Sequence, residues 1–190
     1  IAPAFFFIDP FGYSGFGMDT LTRILRHPRT ELFITFMIYD ICRFLTVEHA
    51  RAYMRELFGT DEFEKASALD GEARVAFLSD LYCRQLRKTA GARFVQPFRI
   101  NTPGQGTRPR YLLVHASQHL KALKEMKNAM RRGSPQPFRF EAIGLDPSRQ
   151  LELFEPMGEE RLQEKIYQYI CQRAQPRIPY EAIEDWAYQA

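Results

Sequence analysis

The stretch Ala4-Phe5-Phe6-Phe7-Ile8-Asp9-Pro10-Phe11-Gly12 decides the predicted fold of this chain. Its first five residues form an apolar run that ends at a turn-forming Asp-Pro pair, which is typical of a strand buried on both faces of a sheet. Residues 31–39 form a second apolar run, rich in β-branched and aromatic side chains. With a helix predicted between the runs, the order strand, helix, strand predicts a parallel βαβ unit with a right-handed crossover.

Helices are predicted from apolar spacing and from residues that favour helix ends. The helix inside the βαβ unit covers residues 20–26, with Asp19 as its N-terminal cap. A helix over 46–58 is followed by Gly59, which suits a left-handed C-terminal cap, and another covers 71–91. The apolar stripe of the latter predicts a core-facing side, and it consists of Val75, Leu78, Tyr82 and Leu86.

Two further strands are predicted at 94–100 and 110–116, joined by a loop rich in turn-forming residues. The simplest arrangement is an antiparallel hairpin. Pro97 has no backbone N–H to donate, so its strand is expected at a sheet edge or a bulge. A helix over 118–132 follows.

The chain is predicted to contain one α/β domain and a smaller helical segment. We assign 1–142 to the α/β domain, 143–158 to a proline-containing connector and 159–190 to the helical segment, with one short strand at 138–142. The segment's helices are predicted over 159–173 and from about 179 to the end. Because the chain enters a strand almost at once, we expect residues of a larger protein to precede Ile1.

The composition favours an ordinary folded protein and gives little direct information about partners. Hydrophobic residues make up 45% and charged residues 26%, which excludes disorder and fibrous repeats. A net charge of +3 does not by itself imply a nucleic-acid partner. The cysteines lack a C-x-x-C pair, so we expect no disulfide framework, no zinc site and a reducing cytoplasmic location. The apolar runs are too short to span a bilayer.

The strongest candidate site is the turn that follows the first strand. Ligands of open α/β sheets bind beyond the carboxyl ends of strands, so Asp9, Pro10 and Phe11 are the predicted catalytic residues. Asp9 and the Pro10 carbonyl can accept hydrogen bonds from an amino group, and Phe11 or Tyr13 can stack on a planar base. In the alternative interpretation, Asp9 caps the turn and the aromatics pack. The local glycines match neither the dinucleotide fingerprint nor the Walker loop.

Four further side chains are weighed as substrate-binding or metal-binding candidates. Asp40 and Arg43 follow the second strand and could line the same cleft, or could form a surface ion pair. His115 is predicted to be a hydrogen-bonded core residue, while His119 near a helix start could face the cleft. No metal site is predicted, because the histidines lack an H-E-x-x-H context.

A basic run extends over the last strand and the helix after it. Its members are Arg108, Arg110, Lys121, Lys124, Lys127, Arg131 and Arg132. We predict Lys124, Lys127 and Arg131 as substrate-binding residues that contact a phosphate backbone. The alternative is a solvated helix face.

With these residues in view, the chain resembles the three-Cys-motif partner family, TcmP, whose members have a methyltransferase-like fold. The resemblance rests on ordered blocks: Phe7-Ile8-Asp9-Pro10-Phe11-Gly12, residues 31–37, Arg43-Phe44, Leu81-Tyr82, residues 111–116, His119, Met126-Lys127, Phe138-Arg139-Phe140 and Leu153-Phe154-Glu155. It implies that 5–8 and 31–38 are the fourth and fifth strands of a Rossmann-like sheet, with the hairpin as the sixth and seventh. It also implies a C-terminal segment that looks like the start of a winged helix.

The resemblance implies S-adenosylmethionine as cofactor, bound by a glycine-rich loop upstream of Ile1. The three-Cys motif belongs to the family's partner protein, a candidate partner here, so Cys42, Cys83 and Cys171 are not that motif. In amino-methyltransferases the turn reads Asp or Asn, Pro, Pro, aromatic, and it holds an exocyclic amine. Here Phe11 and Gly12 occupy the last two positions.

The sequence therefore supports two main hypotheses. The first is a fragment of a methyltransferase-like enzyme that acts on nucleic acid, inactive alone, in which Asp9 and Pro10 orient the target amine. The second is a non-catalytic module that binds nucleic acid or a protein partner through its basic helix and C-terminal segment. A third is a degenerate fold retained for protein association.

Overall fold

The protein is an α/β structure built on a mixed, open sheet. The computed structural model describes residues 2–10, 16–100, 109–132, 159–173 and 178–189. Within these ranges the sheet has four strands in the order β1-β2-β4-β3. The strands are β1 (Ala4–Ile8), β2 (Thr30–Phe36), β3 (Phe94–Ile100) and β4 (Tyr111–Ser117).

The pairing of the strands confirms the predicted parallel unit and the predicted hairpin. β1 runs parallel to β2, with Ile8 opposite Ile34. β4 runs antiparallel to both β2 and β3, so Val114 lies opposite Ile34 on one side and Pro97 on the other. β3 is an edge strand of the described sheet, as the missing N–H of Pro97 predicted.

The helices occupy most of the predicted regions. They are α1 (Met18–Leu25), α2 (Ile38–Phe44), α3 (Arg51–Phe58), α4 (Gly71–Lys88), α5 (Leu120–Arg132), α6 (Glu159–Gln172) and α7 (Tyr180–Gln189), with 3-10 helices at Glu48–Ala50 and Glu62–Ala68.

Two helix boundaries differ from the sequence-based expectation. Asp19 does not cap α1, because the helix begins earlier and Gly17 is the N-cap residue, without a side-chain cap bond. Asp19 instead lies in the first turn, where a carboxylate favours the positive end of the helix dipole. The single helix expected over 46–58 is a 3-10 turn followed by α3, and α2 precedes both. Gly59 does adopt the expected left-handed C-cap conformation, with φ 64°.

The main core covers one face of the sheet. The side chains of Leu32, Ile34 and Phe36 alternate along β2 toward this face, and Val114 joins them from β4. The apolar stripe predicted for α4 is buried in this core. The Phe36 and Tyr82 rings stack with centroids 4.2 Å apart, so α4 packs directly on the sheet.

The opposite face of the sheet is covered only in part. α5 packs on β4 and β3, where Phe98 and Leu123 are buried apart from the main core cluster. Near β1 the same face bears an aromatic cluster, in which Phe33 lies 6.2 Å from Phe5 and 6.0 Å from Phe7 between ring centroids. The exposed fractions of Phe5 and Phe7 are 54% and 58%, so this part of the sheet is open.

α6 and α7 form a pair near the end of the chain. The rings of Tyr169 and Trp186 stack with centroids 4.5 Å apart, and no residue of α7 is buried. The winged-helix resemblance of this segment stays a prediction. The predicted connector and the strand at 138–142 lie outside the described residues. No helix within the described ranges has the length and apolar character required to cross a bilayer.

Candidate functional site

A pocket lies at the carboxyl ends of β1 and β2. The open space between its walls is about 310 Å³ with the adjoining solvent included, while its enclosed interior has room for no more than about one water molecule. Its walls are formed by Ile8, Pro10, Phe16, Ile34, Thr35, Phe36, Met37, Ile41, Leu57 and Tyr82. Because adjacent parallel strands end at the same edge of a sheet, this is the edge at which open α/β folds bind their ligands.

Strands and helices of the main core bring most of these walls together. β1 and β2 end side by side through the pair Ile8 and Ile34, and the chain leaves β1 through Pro10. α2 begins immediately after β2 and contributes Ile41, while Tyr82 closes the pocket from α4. The pocket is therefore held by the strands and helices of the main core.

Asp9 lies at this edge, and the residues before and after it, Ile8 and Pro10, both line the pocket. Its side chain is exposed, whereas Ile8 is buried and Pro10 is partly buried. The carboxylate is thus accessible to a ligand that enters the pocket, although it does not line the wall itself. Phe11 and Tyr13, the predicted stacking residues, lie outside the described residues.

The pocket wall is apolar apart from two hydroxyl groups. These belong to Thr35 and Tyr82, and none of the wall residues is charged. Tyr82 is 1% exposed, and burial raises the pKa of its phenol, so the hydroxyl stays protonated. The wall is therefore almost entirely apolar, and Asp9 lies outside it as an acceptor for hydrogen bonds.

Asp40 and Arg43 lie in α2, close along the chain to the pocket but not in its wall. Asp40 is partly buried and Arg43 is exposed. The Arg43 guanidinium lies 5.3 Å from the centroid of the Phe44 ring. No ion pair joins Asp40 to Arg43 in the described part of the chain, so the surface-pair alternative is not what the structure shows.

His119 lies at the other edge of the sheet, and its expected approach to the cleft was wrong. β4 runs opposite to β2, so Ser117 at the end of β4 pairs with Glu31 at the start of β2. The backbone N–H of His119 donates to the Ser117 hydroxyl oxygen at 2.9 Å. A strand length therefore separates His119 from Asp9.

Two of the predicted phosphate-binding lysines are engaged by α7. The Lys124 ammonium lies 2.9 Å from a Glu184 carboxylate oxygen and 2.5 Å from one of Asp185. The Lys127 ammonium donates to the Tyr188 carbonyl oxygen at 2.7 Å. The side chain of Arg131 lies outside the described residues. Since α5 packs on the opposite face of the sheet from the main core, these lysines are not brought together with Asp9.

Sequence reasoning missed several residues of the pocket wall. Phe16 is 38% exposed at the pocket, and Met37 and Leu57 reach it from separate segments. Phe16 belongs to the same aromatic and glycine-rich stretch as Asp9, which was the available signal. Leu57 has no comparable signal, because its place depends on how α3 packs.

Comparison with protein-family models, with curated proteins and with solved structures finds no match to this chain. Among the described residues, no group of three or more histidine, cysteine, aspartate or glutamate side chains is arranged to hold a metal ion.

Proposed function

We propose that this chain is the C-terminal portion of a TcmP-like, S-adenosylmethionine-dependent methyltransferase-like protein that acts on nucleic acid. The observation that carries the proposal is the position of Asp9 and Pro10 at the rim of an apolar pocket, on the shared carboxyl edge of two parallel strands. In this position a carboxylate can orient an amino group on a flat ring that packs at the mouth of the pocket.

The order and direction of the strands support a Rossmann-like half sheet. β1 and β2 are parallel neighbours, and β3 runs in the same direction because both β2 and β3 are antiparallel to β4. Without β4, the order β1, β2, β3 is the consecutive parallel order of one half of a doubly wound sheet.

The composition of β1 supports a sheet that continues beyond it. Strands with apolar side chains on both faces are typical of the interior of parallel sheets. β1 has this composition, yet Phe5, Phe6 and Phe7 are 54%, 42% and 58% exposed at the edge of the described sheet. We infer that strands and helices of a donor-binding half pair with β1 and cover these rings.

In the proposed reaction the target base packs against Pro10 and the exposed Phe16 ring, with its exocyclic amine beside Asp9. The Asp9 carboxylate accepts a hydrogen bond from the amine and holds the nitrogen in one orientation. Fixing two reactants in this way converts a bimolecular encounter into a step within one complex. S-adenosylmethionine, when bound by the parent protein, supplies an electrophilic methyl group.

The described residues do not form a site for S-adenosylmethionine itself. The pocket wall lacks a charged side chain that could hold the amino and carboxylate groups of the donor. The proposal therefore assigns donor binding to the part of the parent protein in which the family resemblance implies the glycine-rich loop. The residues of this chain contribute to the substrate side.

The test is methyl transfer by the parent protein, measured on DNA and RNA with labelled S-adenosylmethionine, for the native sequence and for Asp9→Ala. We expect both proteins to bind the donor with the same affinity in calorimetry, and the variant to lose transfer by about 100-fold or more, the scale of a lost positioning group. Asp19→Ala is the matched control, since Asp19 is another exposed carboxylate in the same region. An intact parent that binds no donor would contradict the proposal.

A non-catalytic binding module is the second candidate, and one observation favours it. The described residues of the pocket wall include no charged group that could act as a general acid or base. Binding of nucleic acid with a strong salt dependence, together with absence of methyl transfer in the parent, would support this candidate.

A further inference from the structure

The side of α5 that carries Lys121, Lys124 and Lys127 is covered in part by α7. The three lysines follow one another at spacings of three residues, which places neighbouring ammonium groups along one side of a helix. Lys121 is exposed, whereas Lys124 and Lys127 meet α7. A short cationic track therefore exists on α5, and two of its three members are covered.

The contacts that hold α7 on this track are polar. Glu184 and Asp185 both pair with the Lys124 ammonium, which also lies 5.2 Å from the centroid of the Tyr188 ring. The Tyr188 hydroxyl lies 3.3 Å from the Asn128 side-chain oxygen. No residue of α7 is fully buried, and the Trp186 ring stacks on Tyr169 of α6 rather than on α5.

The charges of α7 match those of α5. α7 carries three acidic residues and no basic one, and two of the three, Glu184 and Asp185, pair with Lys124 of α5. Solvent reaches these ion pairs through the partly exposed Glu184 and Asp185 side chains, and ion pairs that solvent reaches contribute little to stability and are weakened further by salt. A ligand with several closely spaced anionic groups can displace such a helix.

Lys127 gives independent support for a second occupant. Its ammonium is removed from water against α7, and this burial lowers its pKa. Its partner there is a neutral carbonyl oxygen of Tyr188 rather than a carboxylate. A charge-assisted bond to a phosphate oxygen is stronger than one to a neutral carbonyl.

We propose that the side of α5 bearing Lys121, Lys124 and Lys127 binds the phosphate backbone of a nucleic acid, and that α7 competes for this surface as an internal acidic mimic. The inference rests on the nucleic-acid partner of the proposed function but requires no methyl transfer. α7 thereby sets the affinity of the chain for nucleic acid.

The test is the affinity of the full 190-residue chain for a fluorescein-labelled DNA duplex, measured by anisotropy over a series of salt concentrations. Each additional phosphate contact steepens the slope of log K against log salt by about 0.9. The double variant E184Q/D185N is expected to free Lys124 and Lys127 for two such contacts, which steepens the slope by up to about 1.8. We expect this variant to bind the duplex about tenfold more tightly than the native chain. Adding K124A and K127A to that variant is expected to abolish the gain.

The matched control is E164Q/E181Q, which removes the same charge from exposed residues of α6 and α7 that form no ion pair with α5 in the described part of the chain. It is expected to change the affinity less than twofold, because only the net charge differs. Circular dichroism checks that each variant is folded. Equal gains for the two double variants would overturn the proposal, since bulk charge would then explain both.

Two further outcomes would also overturn it. One is failure of every variant to bind the duplex, which leaves the methyl-transfer test of the parent protein unaffected. The other is an affinity of E184Q/D185N for the duplex equal to that of the native chain, which would mean that α7 does not compete for this surface.

Discussion

His115 and Glu31 form a side-chain pair across β4 and β2, with the Nε2 atom of His115 3.0 Å from a carboxylate oxygen of Glu31. The imidazole is fully buried, and its Nδ1 atom has no hydrogen-bond partner among the described residues. Because Nε2 donates to the carboxylate, we assign the neutral tautomer in which Nε2 carries the hydrogen and Nδ1 carries none. The prediction that His115 is a hydrogen-bonded core residue is therefore confirmed.

We predict that the protein loses stability below neutral pH because of His115. Burial lowers the pKa of the imidazole below its ordinary value of 6.5, against the opposing effect of the Glu31 carboxylate. As the pH falls below 6.5, the imidazole is protonated in the unfolded chain while it stays neutral in the folded protein. Proton binding therefore favours the unfolded state, and the free energy of unfolding decreases as the pH falls toward the lower pKa of the folded state. Urea unfolding at several pH values should show a slope of up to about 1.4 kcal/mol per unit.

His115→Gln should flatten that slope, because glutamine does not titrate. His49→Gln is the control, since His49 is exposed, and it should leave the slope unchanged. A slope that persists in His115→Gln would assign the pH dependence to another group.

Tyr82 should contribute to stability mainly through its ring. The ring stacks on Phe36 with an interplanar angle of 19° and packs edge-on against Phe58. Tyr82→Ala should lower the free energy of unfolding by about 3 to 5 kcal/mol, the usual cost of deleting a buried aromatic. Tyr82→Phe keeps both ring contacts and should cost less than about 1.5 kcal/mol. Similar losses for the two variants in chemical denaturation would contradict this assignment.

Gly59 should be intolerant of a side chain for two separable reasons. Its φ of 64° disfavours other residues, and an added Cβ would lie 3.0 Å from the Cβ of Met18. Gly59→Ala should cost about 1 to 3 kcal/mol in thermal or urea unfolding. Gly91→Ala is the matched control, because Gly91 has φ 75° with nothing within 4 Å of the added carbon. A smaller loss of stability in Gly91→Ala than in Gly59→Ala would assign the difference to the contact with Met18. Equal losses in the two variants would assign the whole effect to the backbone conformation.

Cys83 and Cys171 should differ sharply in thiol reactivity. Burial raises the pKa of the Cys83 thiol to about 12, whereas Cys171 is exposed on α6. Iodoacetamide at mildly alkaline pH should label Cys171 in the native protein and Cys83 only after denaturation, because the thiolate is the reactive form. Peptide mass spectrometry reads out both sites. Labelling of native Cys83 at the rate of Cys171 would contradict its buried placement.

Much of the fold follows from local sequence signals. The apolar run of β1, the stripe of α4 and the missing N–H of Pro97 predicted a strand, the buried side of a helix and an edge strand, and each depends on a short-range physical constraint. The predicted burial of β1 on both faces was wrong for the described sheet, because Phe5, Phe6 and Phe7 are exposed at its edge. The helix after β2 was not predicted. Its residues Ile38 and Tyr39 continue the apolar run of the strand, so composition alone does not mark where the strand ends.

The sequence predicted only the part of the candidate site that depends on the direction of the strands. Strand direction places Asp9 and Pro10 at a ligand-binding edge, but Leu57 joins the pocket through the packing of α3, which sequence spacing does not specify. His119 was misplaced because a histidine near a helix start carries no information about which edge of the sheet that helix starts from. The lysines of α5 were identified as a cationic track, but their pairing with α7 spans 60 or more residues of chain.

Because Trp186 stacks on Tyr169, the fluorescence of Trp186 reports on the structure of the α6–α7 pair. Trp186 is the sole tryptophan in the sequence, so indole emission originates from the α6–α7 pair alone. Far-ultraviolet dichroism, by contrast, is dominated by the helices around the sheet. Coincident melting curves from the two signals would mean that the α6–α7 pair unfolds together with the core, and an earlier fluorescence transition would mean that it unfolds as a separate cooperative unit.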